Sequence, residues 1–274
     1  MQKMILLCLL SLPGHLFAGE SSIEFARSID NNGNQDTAVA LEFGLSSDAL
    51  LYLSVARNRS ITDVSQKNVS DVRIGYEGDP AEDIFYGIEW SGWGAPNDLV
   101  VSSLRGSINV QSDTWLNQLV PQLRTIRFYI TIGSNPYLDV TSPGFQYSAT
   151  YLGWENWKLS ISYMLNLYSR NLTILASDPR VLLFFSPTTL DLASGFEYSQ
   201  FGIDVGYRQK WGDIAWANRT SRSAIDFSLI RTNVLRAGWN LSPSWYLGLQ
   251  TGRSVSELDS RAVNFLAWSA RYYW

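Results

Sequence analysis

Four acidic residues, Glu42, Glu89, Asp191 and Asp204, stand in stretches where apolar and polar residues alternate, each on the polar side of the alternation. Two carboxylates brought close together can divide a proton between them and serve as general acid and base. That is the one catalytic chemistry the residue types leave open. The single His and the single Cys are His15 and Cys8, both within the first 18 residues. Beyond that leader the chain offers no Ser-His-Asp triad, no Cys-His pair and no His or Cys ligand for zinc. It carries no phosphate loop or dinucleotide fingerprint either. Nothing in the sequence brings two of the four acids together, so the plainer reading is of carboxylates solvated in a watery interior or paired with arginine. Six bases occupy equivalent positions, Arg73, Arg105, Lys158, Arg208, Arg236 and Arg271, against Glu24, Glu42, Asp83, Glu89, Asp191 and Asp204. Equal numbers of both signs around an aqueous path imply weak ion selectivity, or a path closed by salt bridges. The expectation is a protein without enzymatic activity, metal or cofactor.

The elements that hold these residues have a period of two, the signature of a strand with two unlike faces. In 157–167, Trp157, Leu159, Ile161, Tyr163, Leu165 and Leu167 alternate with Lys158, Ser160, Ser162, Met164 and Asn166. Around Val39, Leu41 and Phe43 the opposite face is Ala38, Ala40, Glu42 and Gly44. Similar stretches recur along the chain, about 14 in all, or 12 if the segments around Pro121 and Leu183 stay out of the wall. Pro121 lies inside one stretch, where a missing N–H suggests a bulge. Connections are short after Leu45, Tyr76, Val110, Tyr151, Phe196 and Leu241, and mostly longer after Asp30, Asn58, Trp90, Ile130, Arg170, Lys210 and Arg253. Glycines at inward positions, among them Gly75, Gly206, Gly238 and Gly248, leave room inside or let strands curve. Trp115, Trp157, Phe201 and Trp245 each open a strand after a short turn, 42, 44 and 44 residues apart. This spacing predicts an aromatic girdle at one membrane interface.

Composition fits an alternating wall. Hydrophobic residues make up 46% of the 274, with 11 Trp, 14 Tyr and 12 Phe, yet mean hydropathy is −0.06. After the leader no run approaches the roughly 20 apolar residues of a membrane helix. Residues 1–18 read as a secretory signal peptide: Lys3, an apolar run to Leu12, and a small residue at Ala18 before the cut. Removing it leaves 20 basic residues against 25 acidic ones, which argues against a nucleic-acid partner. No linker divides residues 19–274, so one domain is expected.

The final stretch, Ala262 to Trp274, puts Leu266, Trp268, Tyr272 and Trp274 on one face and Phe265, Arg271 and Tyr273 on the other. It resembles the terminal strand of bacterial outer-membrane β-barrel proteins, which commonly ends in Phe or Trp with apolar residues at alternate positions before it. The resemblance implies a single antiparallel transmembrane β-barrel in the outer membrane of a Gram-negative bacterium. It implies outer-membrane lipid and lipopolysaccharide around the wall, and a barrel-insertion machinery that reads Leu266, Trp268, Tyr272 and Trp274. A porin-like passive channel for small polar solutes or ions follows, narrow and of little charge preference, with Glu24, Glu42, Arg73, Glu89, Arg105, Lys158, Asp191, Asp204, Arg208, Arg236 and Arg271 facing the lumen. The long segment 171–187 is apolar enough to fold inward as a constriction. The alternative is a non-transporting structural or surface-interaction barrel that acts through its outer loops.

Overall fold

In the structure, a computed structural model, residues 21–61, 66–81, 83–95, 99–129, 138–173, 196–257 and 262–274 are described. They form fourteen strands: β1 (Ser22–Asp30), β2 (Gln35–Ser46), β3 (Ala49–Ile61), β4 (Gln66–Ala81), β5 (Ile84–Ala95), β6 (Leu99–Gln111), β7 (Trp115–Phe128), β8 (Leu138–Tyr151), β9 (Trp157–Asn166), β10 (Glu197–Gln209), β11 (Gly212–Ser223), β12 (Leu229–Ser242), β13 (Trp245–Ser256) and β14 (Val263–Tyr273). Each pairs antiparallel with its sequence neighbours, and β14 pairs with β1 to close the barrel. Closure leaves no edge strand with unpaired backbone groups. The Trp274 and Ser21 backbones exchange two hydrogen bonds, 3.1 and 3.3 Å, across the seam.

The period of two becomes an outside and an inside. Outward residues such as Ile74, Ile88, Leu104, Leu123, Leu235 and Trp268 are exposed although large and apolar. They adjoin one another. A single row of register partners runs through Trp245, Tyr272, Ile23, Leu41, Leu53, Ile74, Trp90, Leu104 and Leu123, across nine strands with only aliphatic and aromatic side chains. An apolar surface of that continuity belongs against lipid rather than water, so the barrel is transmembrane.

Turns at one rim are short. The connections 47–48, 82–83, 112–114, 152–156, 210–211 and 243–244 hold two to five residues, whereas those at the opposite rim run up to the span 167–196. Two connections differ from the sequence expectation. The one after Lys210 is a two-residue turn at the short-turn rim, where Asn240 N–H donates to the Trp211 carbonyl at 2.9 Å. Phe196 lies at the long-loop end of β10 and closes no short turn. Both corrections have one cause: β11 has no counterpart among the predicted strands. Its outward positions begin with Ile214 and Trp216 but continue as Asn218, Thr220 and Arg222, so no apolar stripe marks the strand. The segment around Leu183 and the leader 1–18 lie outside the described residues.

Pro121 sits within an unbroken β7 and faces outward. No bulge forms there. The β6–β7 register is the same on both sides of it, and the ladder merely skips between Arg105–Gln122 and Ile108–Leu119. Gly106 lies opposite, and the ring is not crowded from there: even an added Cβ would meet Pro121 Cγ at 3.7 Å, an ordinary contact. The missing donor therefore costs one local bond and no change of pairing.

Candidate functional site: the lumen

Several of the charged residues inside the barrel stand in two cross-strand clusters. On β1, β2 and β14, Arg271 bonds Glu24 and lies 3.5 Å from Glu42, which also accepts the Ser22 hydroxyl at 2.7 Å. On β3 to β6 one row reads Tyr52, Gly75, Glu89, Arg105. The Tyr52 hydroxyl donates to Glu89 at 2.9 Å, and Arg105 approaches the other Glu89 oxygen at 3.5 Å. Gly75 makes this possible, because a Cβ there would lie 2.1 Å from the Tyr52 ring. The device recurs: Tyr246 lies over Gly238 and donates to Asp213 at 3.0 Å. Inward glycines thus seat tyrosines flat along the wall, where the sequence reading saw lumen space.

The remaining predicted positions distribute around these clusters. Arg73 pairs with Asp71 at 2.8 Å. Lys158 lies across Gly206 near the short-turn rim, and Arg208 stands opposite Asp213 in the register. Asp204, Arg236 and Arg105 border a cavity of about 650 Å³ within the barrel. Asp191 lies outside the described residues. Sequence reading singled out charges alone, yet Gln118, Gln122, Gln146, Gln200 and Gln250 also border the cavity with Ser148, Ser160 and Ser162. Alternation had placed Gln146, Ser148, Ser160 and Ser162 on the inner face, but only closure of the barrel brings β7 to β13 around one space.

Toward the long loops the interior changes character. Leu99, Val101, Ile126, Phe128 and Val140, all inward residues of β6 to β8, pack with Leu172, Phe196, Ala224 and Ile225 from the connections. This apolar cluster fills one side of the mouth. Beneath it lies a buried polar layer. Arg124 is 1% exposed. The Tyr168 hydroxyl and the Asn166 amide both donate to the Glu197 carbonyl, at 2.9 and 2.8 Å, and Gln122 donates to Asn166 at 2.6 Å. Burial pushes the Tyr168 phenol up to about 12, with the neighbouring Arg124 cation pulling the other way. Leu172, the second residue of the segment 171–187 predicted to fold inward, packs in this cluster; residues 174–187 of that segment are not among those described.

The aromatic residues at the short-turn rim pair across strands. Ring centroids are 5.1 Å apart for Trp115–Tyr151, 4.7 Å for Trp157–Tyr207 and 5.0 Å for Trp245–Tyr272. Phe201 is not among them. Because β10 descends from the long-loop side, Phe201 pairs with Tyr163 at mid-wall, and Tyr207 takes the rim position beside Trp157. Leu266, Trp268, Tyr272 and Trp274 face outward and are exposed.

No family model and no curated relative matches the sequence. Among solved structures the chain is similar to OmpT, an outer membrane protein of Vibrio cholerae, in a form lacking loop L8: 9% identity over 93% of this chain and 98% of that one, TM-score 0.49. It is similar to the NanC porin at 6% identity over 91% and 98%, TM-score 0.49, and to the KdgM porin at 8% over 92% and 98%, TM-score 0.47.

Proposed function

We propose that this barrel is a porin-like passive channel of the outer membrane for small polar solutes. The observation that carries the reading is the cavity of about 650 Å³ bordered by amides, hydroxyls and charges of both signs. A barrel serving only as a scaffold gains nothing from a hydrated interior, since apolar side chains would fill it more stably. The amides and hydroxyls both donate and accept, so they can replace the hydration of a neutral polar solute in passage. Ion pairs such as Glu24–Arg271 and Glu89–Arg105 neutralise one another and leave no field of one sign along the wall. The activity needs no cofactor. Conductance of the purified protein in a planar bilayer tests the reading. Small, nearly non-selective steps are expected, and a protein that inserts but never conducts overturns it.

The apolar cluster at the long-loop mouth favours a second reading, a closed barrel whose loops serve as a surface. Under that reading the same bilayer experiment gives insertion without conductance, and removing cluster side chains does not restore it.

A further inference from the structure

The outer wall carries its charges at one end. Arg27, Arg57, Arg59, Arg127, Arg222, Arg231 and Arg253 occupy exposed, outward positions near the long loops. Among the described outward strand positions one acid, Asp139, stands with them, and it pairs with Arg127 at 3.3 Å. The tilt of the strands shows where the arginines begin. The row of register partners that starts at the short-turn rim with Trp157 climbs through Tyr207, Ile214, Ala237, Leu249 and Trp268, then becomes Arg27, Thr37, Arg57 and Ser70. The change from apolar to basic marks the upper edge of the lipid band. Arginine facing lipid is costly at the bilayer centre and cheap at the headgroups, so this row must lie at headgroup depth.

The densest part of the belt is on β1 to β3. Arg27 and Arg57 flank Thr37 in one row, and Arg59 stands beside Gln35 in the next. Neighbouring strands lie about 4.8 Å apart, so the Arg27 and Arg57 backbones are about 10 Å apart, within reach of a shared anion for two long side chains. Arg27 donates to the neutral Gln35 side chain at 3.2 Å, a contact that brings no opposing charge to the guanidinium. Guanidinium groups gathered around a hydroxyl and an amide form a fork-shaped donor set that matches phosphate oxygens. Directly below, Phe25, Val39 and Val55 present the apolar surface on which an acyl chain would lie.

We propose that Arg27, Arg57 and Arg59, with Thr37 and Gln35, form a binding site on the outer wall for the phosphate of an anionic membrane lipid in the leaflet facing the long loops. The site rests on the membrane reading of the barrel but not on conduction through it. Mass spectrometry of the intact protein released from detergent, with bisphosphorylated lipid A added, tests it. The wild type should retain the lipid. The variant Arg27→Gln/Arg57→Gln/Arg59→Gln should bind it roughly tenfold or more weakly, the loss expected for charge-assisted bonds to phosphate. Arg57→Gln alone, which leaves the strands intact, should give an intermediate loss. Dephosphorylated lipid A should bind weakly to all, and millimolar inorganic phosphate should fail to displace the lipid, because it lacks the acyl contacts. Equal retention by wild type and both variants overturns the site, as does equal binding of the dephosphorylated lipid. Displacement by inorganic phosphate overturns its assignment to lipid. Bilayer conductance, measured on the same variants, is expected to be unchanged, which separates failure of this site from failure of the channel.

Discussion

The Tyr52 hydroxyl lies 2.9 Å from a Glu89 oxygen although the two residues stand two strands apart, on β3 and β5. The ring spans the gap because Gly75 on β4 lies under it with no side chain. One glycine thereby decides which partner a glutamate on another strand accepts from, and Arg105 approaches the other oxygen of that glutamate. Tyr246, Gly238 and Asp213 repeat the relationship on the far wall.

Gly75→Ala should therefore be more damaging than its size suggests. Its Cβ would meet the Tyr52 ring at 2.1 Å, so the ring must leave the wall and release Glu89. Thermal unfolding should show a loss of about 1–3 kcal/mol, typical of overpacking at a closed site. Gly106→Ala is the control: its Cβ would find its nearest neighbour at 3.7 Å, an ordinary contact. If both variants unfold alike, the ring-over-glycine arrangement contributes nothing.

Trp274→Ser and Tyr272→Ser should impair membrane insertion, the first more strongly, because both side chains lie on the exposed outer face. Tyr273→Ser should have little effect, since Tyr273 faces inward, its ring 6.0 Å from the Arg271 guanidinium. Heat-modifiable mobility in denaturing gels reads out the folded fraction. A Tyr273 variant that inserts worst would contradict the assignment of faces.

The strands with an unbroken apolar stripe, β9 above all, were legible because lipid demands apolar side chains at every outward position. β11 escaped because the upper half of its outer face is Asn218, Thr220 and Arg222, residues suited to headgroups, and alternation of polar with polar carries no signal. Phe201 was misplaced for the same reason: without β11, the direction of β10 reversed. The lumen was legible as a list of inward charges such as Glu89 and Arg105, but their partners were not, since Tyr52 reaches Glu89 through register. The layer of Arg124, Tyr168 and Glu197 depends on a connection folding back into the mouth, and no periodicity reports that.

Alkaline pH should loosen the mouth before it unfolds the wall. The phenol of Tyr168 ordinarily ionises near 10 and is raised to about 12 by burial. A raised acid is one whose neutral form the fold prefers, so Tyr168 contributes stability in full below pH 10, and that contribution is lost as pH rises toward 12. Tyr168→Phe should remove the pH-dependent part in this window. Tyrosinate absorbance, followed with near-ultraviolet circular dichroism in both proteins, measures it; identical titrations would place the ionising residue elsewhere.

At acid pH the group to watch is Asp226, in the connection that supplies Ala224 and Ile225 to the mouth cluster. Burial works to raise its carboxyl, but the Ser228 hydroxyl at 2.7 Å and amide at 3.0 Å outweigh it, and the pKa lies below the usual value of 3.8. The stability it contributes is present above pH 3.8 and is lost as pH falls through the lower folded value. Asp226→Asn should flatten that acid dependence in a stability titration while leaving the alkaline one intact.

The mouth cluster also sets the last expectation, for conduction. Leu172 and Phe196 are each 1% exposed and come from the connection between β9 and β10, not from the wall. Truncating them removes contacts that hold the connection down while leaving every strand pair in place. A buried Leu→Ala change costs about 2–5 kcal/mol, but here the loss falls on docking of the connection against Ile126, Phe128 and Val140. Leu172→Ala/Phe196→Ala should keep the heat-modifiable mobility of a closed barrel and raise single-channel conductance by widening the mouth. Ile74→Ala, on the outer wall, should leave conductance unchanged. If the double variant inserts as a folded barrel and conducts no more than the wild type, the cluster does not limit the path; if neither protein conducts, the closed-barrel reading takes the place of the channel.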